Sequence, residues 1–135
     1  MARLIDTSVI IKFERQGHHQ RLFSALTAGE ALAVSSIMAS ELLLGAERAD
    51  TADRRQQRLA FVNAVLRLIP VLPFDLHAAG VHARVQAQLL VAGQQIGAND
   101  LFIAATALAH NMPVLTENIR DFERVPGLVV HRPDW

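Results

Sequence analysis

Three carboxylates in this 135-residue chain stand where side-chain chemistry is possible. Asp6 directly follows the apolar run Leu4-Ile5 and precedes Thr7-Ser8, so it leaves a first strand at its carboxyl end. In folds that alternate strand and helix, ligands bind beyond that end of the strands. Asp6 would serve equally well as the cap of a helix beginning at Thr7-Ser8. Glu41 lies between Ile37 and Leu44 on a helical wheel, with Met38 and Gly45 on its other side, inside the apolar arc. A carboxylate there is costly unless it is paired, for instance with Arg84, or bound to a metal. Asp100 opens a run, LFIAATALA, of apolar residues and Thr. A first-turn charge favoured by the helix dipole explains it at about 0.3–1 kcal/mol. An all-round apolar helix is deeply buried, however, and its start should lie near the ligand edge of the sheet.

A fourth region, Thr116-Glu117-Asn118-Ile119-Arg120-Asp121-Phe122, follows the short run PVLT and adds a hydroxyl, an amide and two acids at a strand end. Two carboxylates about 4 Å apart repel by roughly 4 kcal/mol at an effective dielectric of 20, so such a set calls for a cation. Oxygen donors alone suit Mg²⁺ or Mn²⁺ rather than zinc. Those ions serve phosphoryl and phosphodiester chemistry.

The elements that must position these groups follow from the apolar pattern. Strands are expected over 2–5, 31–35, 70–74, 113–116 and 128–131. Helices are expected over 7–15, 21–28, 37–49 after Ser36, from Thr51 or Asp53 to about 68, 75–92 ended by Gly93, from Asn99 or Asp100 through the LFIAATALAH run, and as a short turn over 118–123. Asp75 is read as a plain cap, because its helix has an ordinary polar face. The strand runs are continuously apolar, as in a parallel sheet covered on both faces. The expected fold is a three-layer α/β/α sandwich with a central parallel sheet, and the length suits a single domain over 1–135.

Composition narrows the function further. Hydrophobic residues make up 51% and charged residues 19%, which argues against disorder. The absence of Cys removes disulfides, thiolate metal sites and Cys nucleophiles together. No apolar run is long enough to span a bilayer and the first residues carry charge, so a soluble cytoplasmic protein is expected. The formal net charge is +0, yet the positive set is Lys12 and twelve Arg. A GC-rich genome accounts for that bias, and Arg also suits bidentate contact with phosphate.

The segments LIDTSVI, SSIMASELLLGA, GANDLFIAATAL and VLTENIRDFERVPGL occur in the order and spacing of the four motifs of the PIN-domain family. The sequence is most similar to the VapC-type toxins of bacterial toxin–antitoxin pairs, including their FitB-like relatives, from about Arg3 to Trp135. The resemblance implies a Mg²⁺-dependent endoribonuclease, with Mn²⁺ able to substitute, that hydrolyses RNA in line to leave 5′-phosphate and 3′-hydroxyl ends. Asp6 and Asp100 are the implied metal ligands, with Glu41 completing the shell directly or through water. Ser8 and Thr116 match supporting hydroxyl positions. The family's fourth position, Asp or Asn, aligns with Asn118, and Asp121 is the alternative. The resemblance also implies a structured RNA substrate such as tRNA, a cognate antitoxin and a homodimer.

Arg54, Arg55 and Arg58 form a basic stretch that suits either a solvated helix face or RNA backbone contact. His77 and His82 are five residues apart, off the i,i+4 spacing of a shared ion. The rival to an active ribonuclease is a PIN module that only binds RNA or protein. A haloacid-dehalogenase-type phosphatase would need a second acid where this chain has Ser8.

Overall fold

The computed structural model describes residues 2–29 and 31–134; Met1, Glu30 and Trp135, the last at the far end of the motif match, lie outside it. Among the described residues five strands form one parallel sheet: β1 (Arg3–Ile5), β2 (Leu32–Ser35), β3 (Val71–Leu72), β4 (Val114–Leu115) and β5 (Val130–His131). Their spatial order is β3-β2-β1-β4-β5. Helices α1 (Thr7–Arg15) and α2 (His19–Leu26) link β1 to β2, and α3 (Ser36–Glu47) and α4 (Ala52–Leu68) link β2 to β3. The chain returns through α5 (Leu76–Ala92) and α6 (Ala98–Ala109) to β4, on the other side of β1, then through α7 (Ile119–Phe122) to β5.

Strand alternation divides the core into two halves. Ile5, Val34 and Leu115 point to a cluster with Val9, Ile10, Phe13, Met38, Leu42, Val62 and Val65, from α1, α3 and α4. Their neighbours Leu4, Ala33 and Val114 point the other way, to Val81, Val85, Leu89, Ile103 and Phe122 from α5, α6 and α7. Both sheet faces are therefore covered, which is why the strand sequences are apolar throughout. The sandwich has the layers and parallel sheet expected of it. The direction of winding reverses between β1 and β4, so a crevice opens beyond their carboxyl ends.

Several boundaries differ from the expected ones. The hydroxyl of Ser35, not Ser36, accepts from the Met38 N–H at 3.1 Å, so α3 begins one residue earlier. Thr51 rather than Asp53 caps α4, accepting from the Arg54 N–H. Helix α2 starts at His19 instead of residue 21. Helix α6 starts at Ala98, its first carbonyl acceptor being Gly97 toward the Leu101 N–H, which places Asp100 inside the first turn with its side chain not used as a cap. Strands β3, β4 and β5 are each only two paired residues long, shorter than expected, at the two edges and in the interior of the sheet alike.

Helix α5 shows both ends of the capping logic. Asp75 accepts from the Ala78 N–H at 2.9 Å, as its reading as a plain cap requires. At the other end Gly93 has φ 66°, and the Gln94 N–H reaches back to the Leu89 carbonyl at 3.0 Å. That pairing needs a left-handed residue, which Gly supplies without strain. Asp75→Ala should cost about 1 kcal/mol of unfolding free energy in urea titrations, while leaving any RNA cleavage by the folded protein at its wild-type rate. A loss below about 0.3 kcal/mol would mean that the cap is dispensable.

Candidate active site

The β1–β4 register sets the site. Leu4 pairs with Val114 and Ile5 with Leu115, and the Asp6 N–H donates to the Leu115 carbonyl at 2.9 Å. Asp6 and Thr116 are thus the next residues along each strand, side by side at the crevice. Both are buried, Asp6 at 4% exposure and Thr116 at 0%. The Thr116 hydroxyl donates to Asp6 Oδ2 at 2.8 Å, and the Ser8 hydroxyl donates to the same oxygen at 2.8 Å. Asp6 occupies the N-cap position of α1 yet makes no side-chain cap bond. Its carboxylate is engaged by the hydroxyls at the crevice instead of by the helix N-terminus.

The supporting hydroxyls are themselves held. Ser8 Oγ accepts from the Glu117 N–H at 3.1 Å, and Thr116 Oγ1 accepts from the Asn118 N–H at 2.8 Å. The segment after β4 is therefore stitched to α1 through the same two oxygens that orient Asp6.

Glu41 is partly buried on α3 and accepts from the Thr7 hydroxyl at 2.9 Å. Among the described residues no Arg pairs with it, and Arg84 is exposed on α5. Asp100 Oδ2 accepts from Asn118 Nδ2 at 3.2 Å, and the same nitrogen donates to Asp121 Oδ2 at 3.1 Å. One amide thus bridges two carboxylates, and both candidates for the fourth position face the site, Asn118 through its donor end and Asp121 through its acceptor end.

Asp6, Glu41, Asp100 and Asp121 surround one crevice, but among the described residues no three acidic or His side chains close on a single point. Each carboxylate is turned toward a hydroxyl or amide donor, Asp100 and Asp121 toward the same one. Their charges still act on one another. The Asp100 carboxyl is raised from 3.8 to about 6, first by burial and then by the charges of Asp6, Glu41 and Asp121; the Asn118 hydrogen bond pulls it the other way. An all-oxygen set under that mutual repulsion fits a hard divalent cation, which relieves what a proton otherwise must.

The basic stretch on α4 is placed elsewhere. Arg54 grips both oxygens of Asp50 at 2.8 Å, Arg55 forms a two-pronged contact with Glu47, and Arg58 meets Glu14 at 3.0 Å. Arg54 and Arg58 line a cavity of about 470 Å³ with Arg15, His19 and Phe61, and none of the four crevice acids lines it. Two contacts had no sequence signal of their own, Thr7 on Glu41 and Lys12 on Glu117, since their partners lie 34 and 105 residues away.

The Asp100 shift has a sign that can be measured without metal. The folded protein keeps the Asp100 proton up to about pH 6, whereas the unfolded chain releases it near 3.8. Between those values the folded state binds more protons, so stability falls as pH rises through that window and levels off above it. In chelator, wild type should lose on the order of 1–2 kcal/mol more than Asp100→Asn between pH 4 and pH 7 in denaturant titrations. Parallel curves would show that Asp100 does not carry the strain of the acid group.

The family model for the PIN domain matches residues 3–128. The chain is 37% identical to "Ribonuclease VapC" of Rickettsia bellii, over 96% of this chain and 95% of that protein. It is 35% identical to the "tRNA(fMet)-specific endonuclease VapC" of Salmonella typhimurium, over 77% and 75% of the two chains. It superposes on a chain of the DNA-bound VapBC crystal structure from Salmonella typhimurium with a TM-score of 0.84 and 30% identity, covering 98% of each chain. The match extends through the motifs that contain Asp6, Glu41, Asp100 and Thr116, and on it the chain belongs to the PIN-domain family, in the branch of the VapC ribonucleases.

Proposed function

We propose that this protein is the toxin of a toxin–antitoxin pair, an endoribonuclease that hydrolyses RNA phosphodiester bonds with Mg²⁺, or Mn²⁺ in its place. The observation that carries this reading is the group of four acids at the β1–β4 crevice, whose repulsion is already felt at Asp100. Asp6, Glu41 and Asp100 would hold the cation, with Asp121 as the fourth oxygen donor. The bound ion would neutralise charge on the phosphate and lower the pKa of an attacking water.

The chain's own residues supply the positioning. Ser8 and Thr116 both hold the same oxygen of Asp6, Oδ2. Thr7 steadies Glu41, and Asn118 spans Asp100 and Asp121. Thr7, Ser8 and Thr116 carry no charge, so they orient the acids without offsetting the attraction for a cation. The tRNA specificity in a relative's name makes tRNA the first substrate to try. The VapBC complex supports a cognate antitoxin as partner, and family resemblance supports a homodimer acting inside the cell. Within the described residues no helix is long and apolar enough to cross a membrane.

The test is cleavage of total cellular RNA and of purified tRNA by antitoxin-free protein, with Mg²⁺, Mn²⁺ or chelator. Cleavage should require the metal and disappear in Asp6→Asn and Asp100→Asn. Thr116→Val should lower kcat/KM by about 10–100-fold, the usual effect of removing a group that orients a metal ligand. Cleavage in chelator, or by either Asn variant at the wild-type rate, would refute the mechanism. A folded protein that binds RNA and cuts none would be the non-catalytic module instead.

A further inference from the structure

Beside the acid crevice lies a recess of about 430 Å³ lined by Ser8, Ile11, Lys12, Arg15, Gln16 and Glu117. Ser8, Lys12 and Arg15 are spaced i, i+4, i+7 on α1 and so share one helix face. Ser8 belongs to the crevice, since its hydroxyl donates to Asp6. One helical turn further, about 6 Å along the axis, comes Lys12, and Arg15 follows a turn later. Two cations therefore lead away from the carboxylates along a single face.

Their present engagements are weak. Lys12 Nζ donates to Glu117 Oε1 at 2.9 Å, with side chains 49% and 29% exposed. An ion pair that open to water is largely screened and holds little. Arg15 makes no hydrogen bond or ion pair to the described residues. By contrast Arg54 and Arg55 are each clamped by both oxygens of a carboxylate, and Arg58 meets Glu14. With a formal net charge of +0 the protein has no net-charge attraction for a polyanion, which puts more weight on local cations beside the cleavage point.

Glu117 ties this cation to the site. Its backbone N–H donates to Ser8 Oγ while its carboxylate holds Lys12, so residue 117 links the Asp6 support to the lysine. The Glu117 carboxylate occupies the place on Lys12 that a phosphate would take, and it carries the charge that repels one.

We propose that this recess binds the RNA phosphate next to the scissile one, and that Lys12 leaves Glu117 for that phosphate when RNA enters, with Arg15 engaging the phosphate beyond. The inference rests on the ribonuclease reading above. A lysine that merely braced α1 against the segment after β4 would give the opposite pattern in the following experiment.

Fluorescein-labelled tRNA is titrated with the full-length Asp100→Asn protein and read by anisotropy across a KCl series, so binding is measured whether or not the parent cuts RNA. Lys12→Gln should weaken binding several-fold and reduce the slope of log K against log salt by about 1, and Lys12→Arg should restore both. Glu117→Gln should tighten binding, because a competing and repelling carboxylate is gone. In the otherwise wild-type protein, Lys12→Gln should raise KM more than it lowers kcat. An unchanged salt slope in Lys12→Gln, weaker binding in Glu117→Gln, or no tRNA binding by the parent would each overturn the proposal. Failure of the ribonuclease reading would appear separately, as no metal-dependent cleavage by wild type.

Discussion

The parallel pairing of β1 with β4 is the constraint on which the rest of this molecule depends. Its register sets Asp6 beside Thr116, and from that adjacency follow the two hydroxyl bonds to Asp6 Oδ2 and the docking of residues 117 and 118. The same pairing is where the winding of the chain reverses. The helices covering β1 and β2 on one face and those preceding β4 on the other therefore part at this edge, leaving a crevice into which α3 brings Glu41 and α6 brings Asp100. A one-residue slip of β4 would exchange the faces of Val114 and Leu115, and both core clusters resist that.

Holding like charges together has a cost that the surrounding structure meets in neutral groups. Thr7, Ser8, Thr116 and Asn118 are each hydrogen-bonded to an acid, and none brings a positive charge. Their dipoles lower the penalty of burying the carboxylates but leave the crevice strongly anionic. A set of arginines in those positions would have stabilised the empty site and ruined it for a cation. Lys12 and Arg15 are placed outward along α1 and are exposed, with Lys12 paired to Glu117 rather than to an acid of the crevice.

Much of this was legible in the sequence, and the boundary of legibility is physical. Continuously apolar runs marked the strands because both sheet faces are covered, and Asp6 and Thr116 were visible as polar residues at the ends of such runs. Glu41 stood out because it interrupts an apolar helical arc, and Asp100 because it opens a helix that is apolar all round. Local choices between equivalent residues were not fixed by pattern: Ser35 and Ser36 both offer a hydroxyl, and only the backbone geometry at the turn selects the first. Contacts across long separations left no trace either. Nothing near Lys12 announces Glu117, and nothing near Asn118 says that its nitrogen rather than its oxygen will face the acids. Family resemblance added the roles, while the hydrogen bonds showed which side-chain ends meet.

The 110-residue separation between Asp6 and Thr116 also orders events in time. During synthesis the first strand, with its aspartate, emerges long before the segment that completes the crevice. Closing so long a loop is slow and can begin only once residue 116 has been made. Strand β2 can pair with β1, and β3 with β2, earlier, but they bring neither Asp100 nor Thr116. A nascent or truncated chain that stops before residue 116 therefore lacks the Thr116 bond to Asp6 and with it the completed crevice.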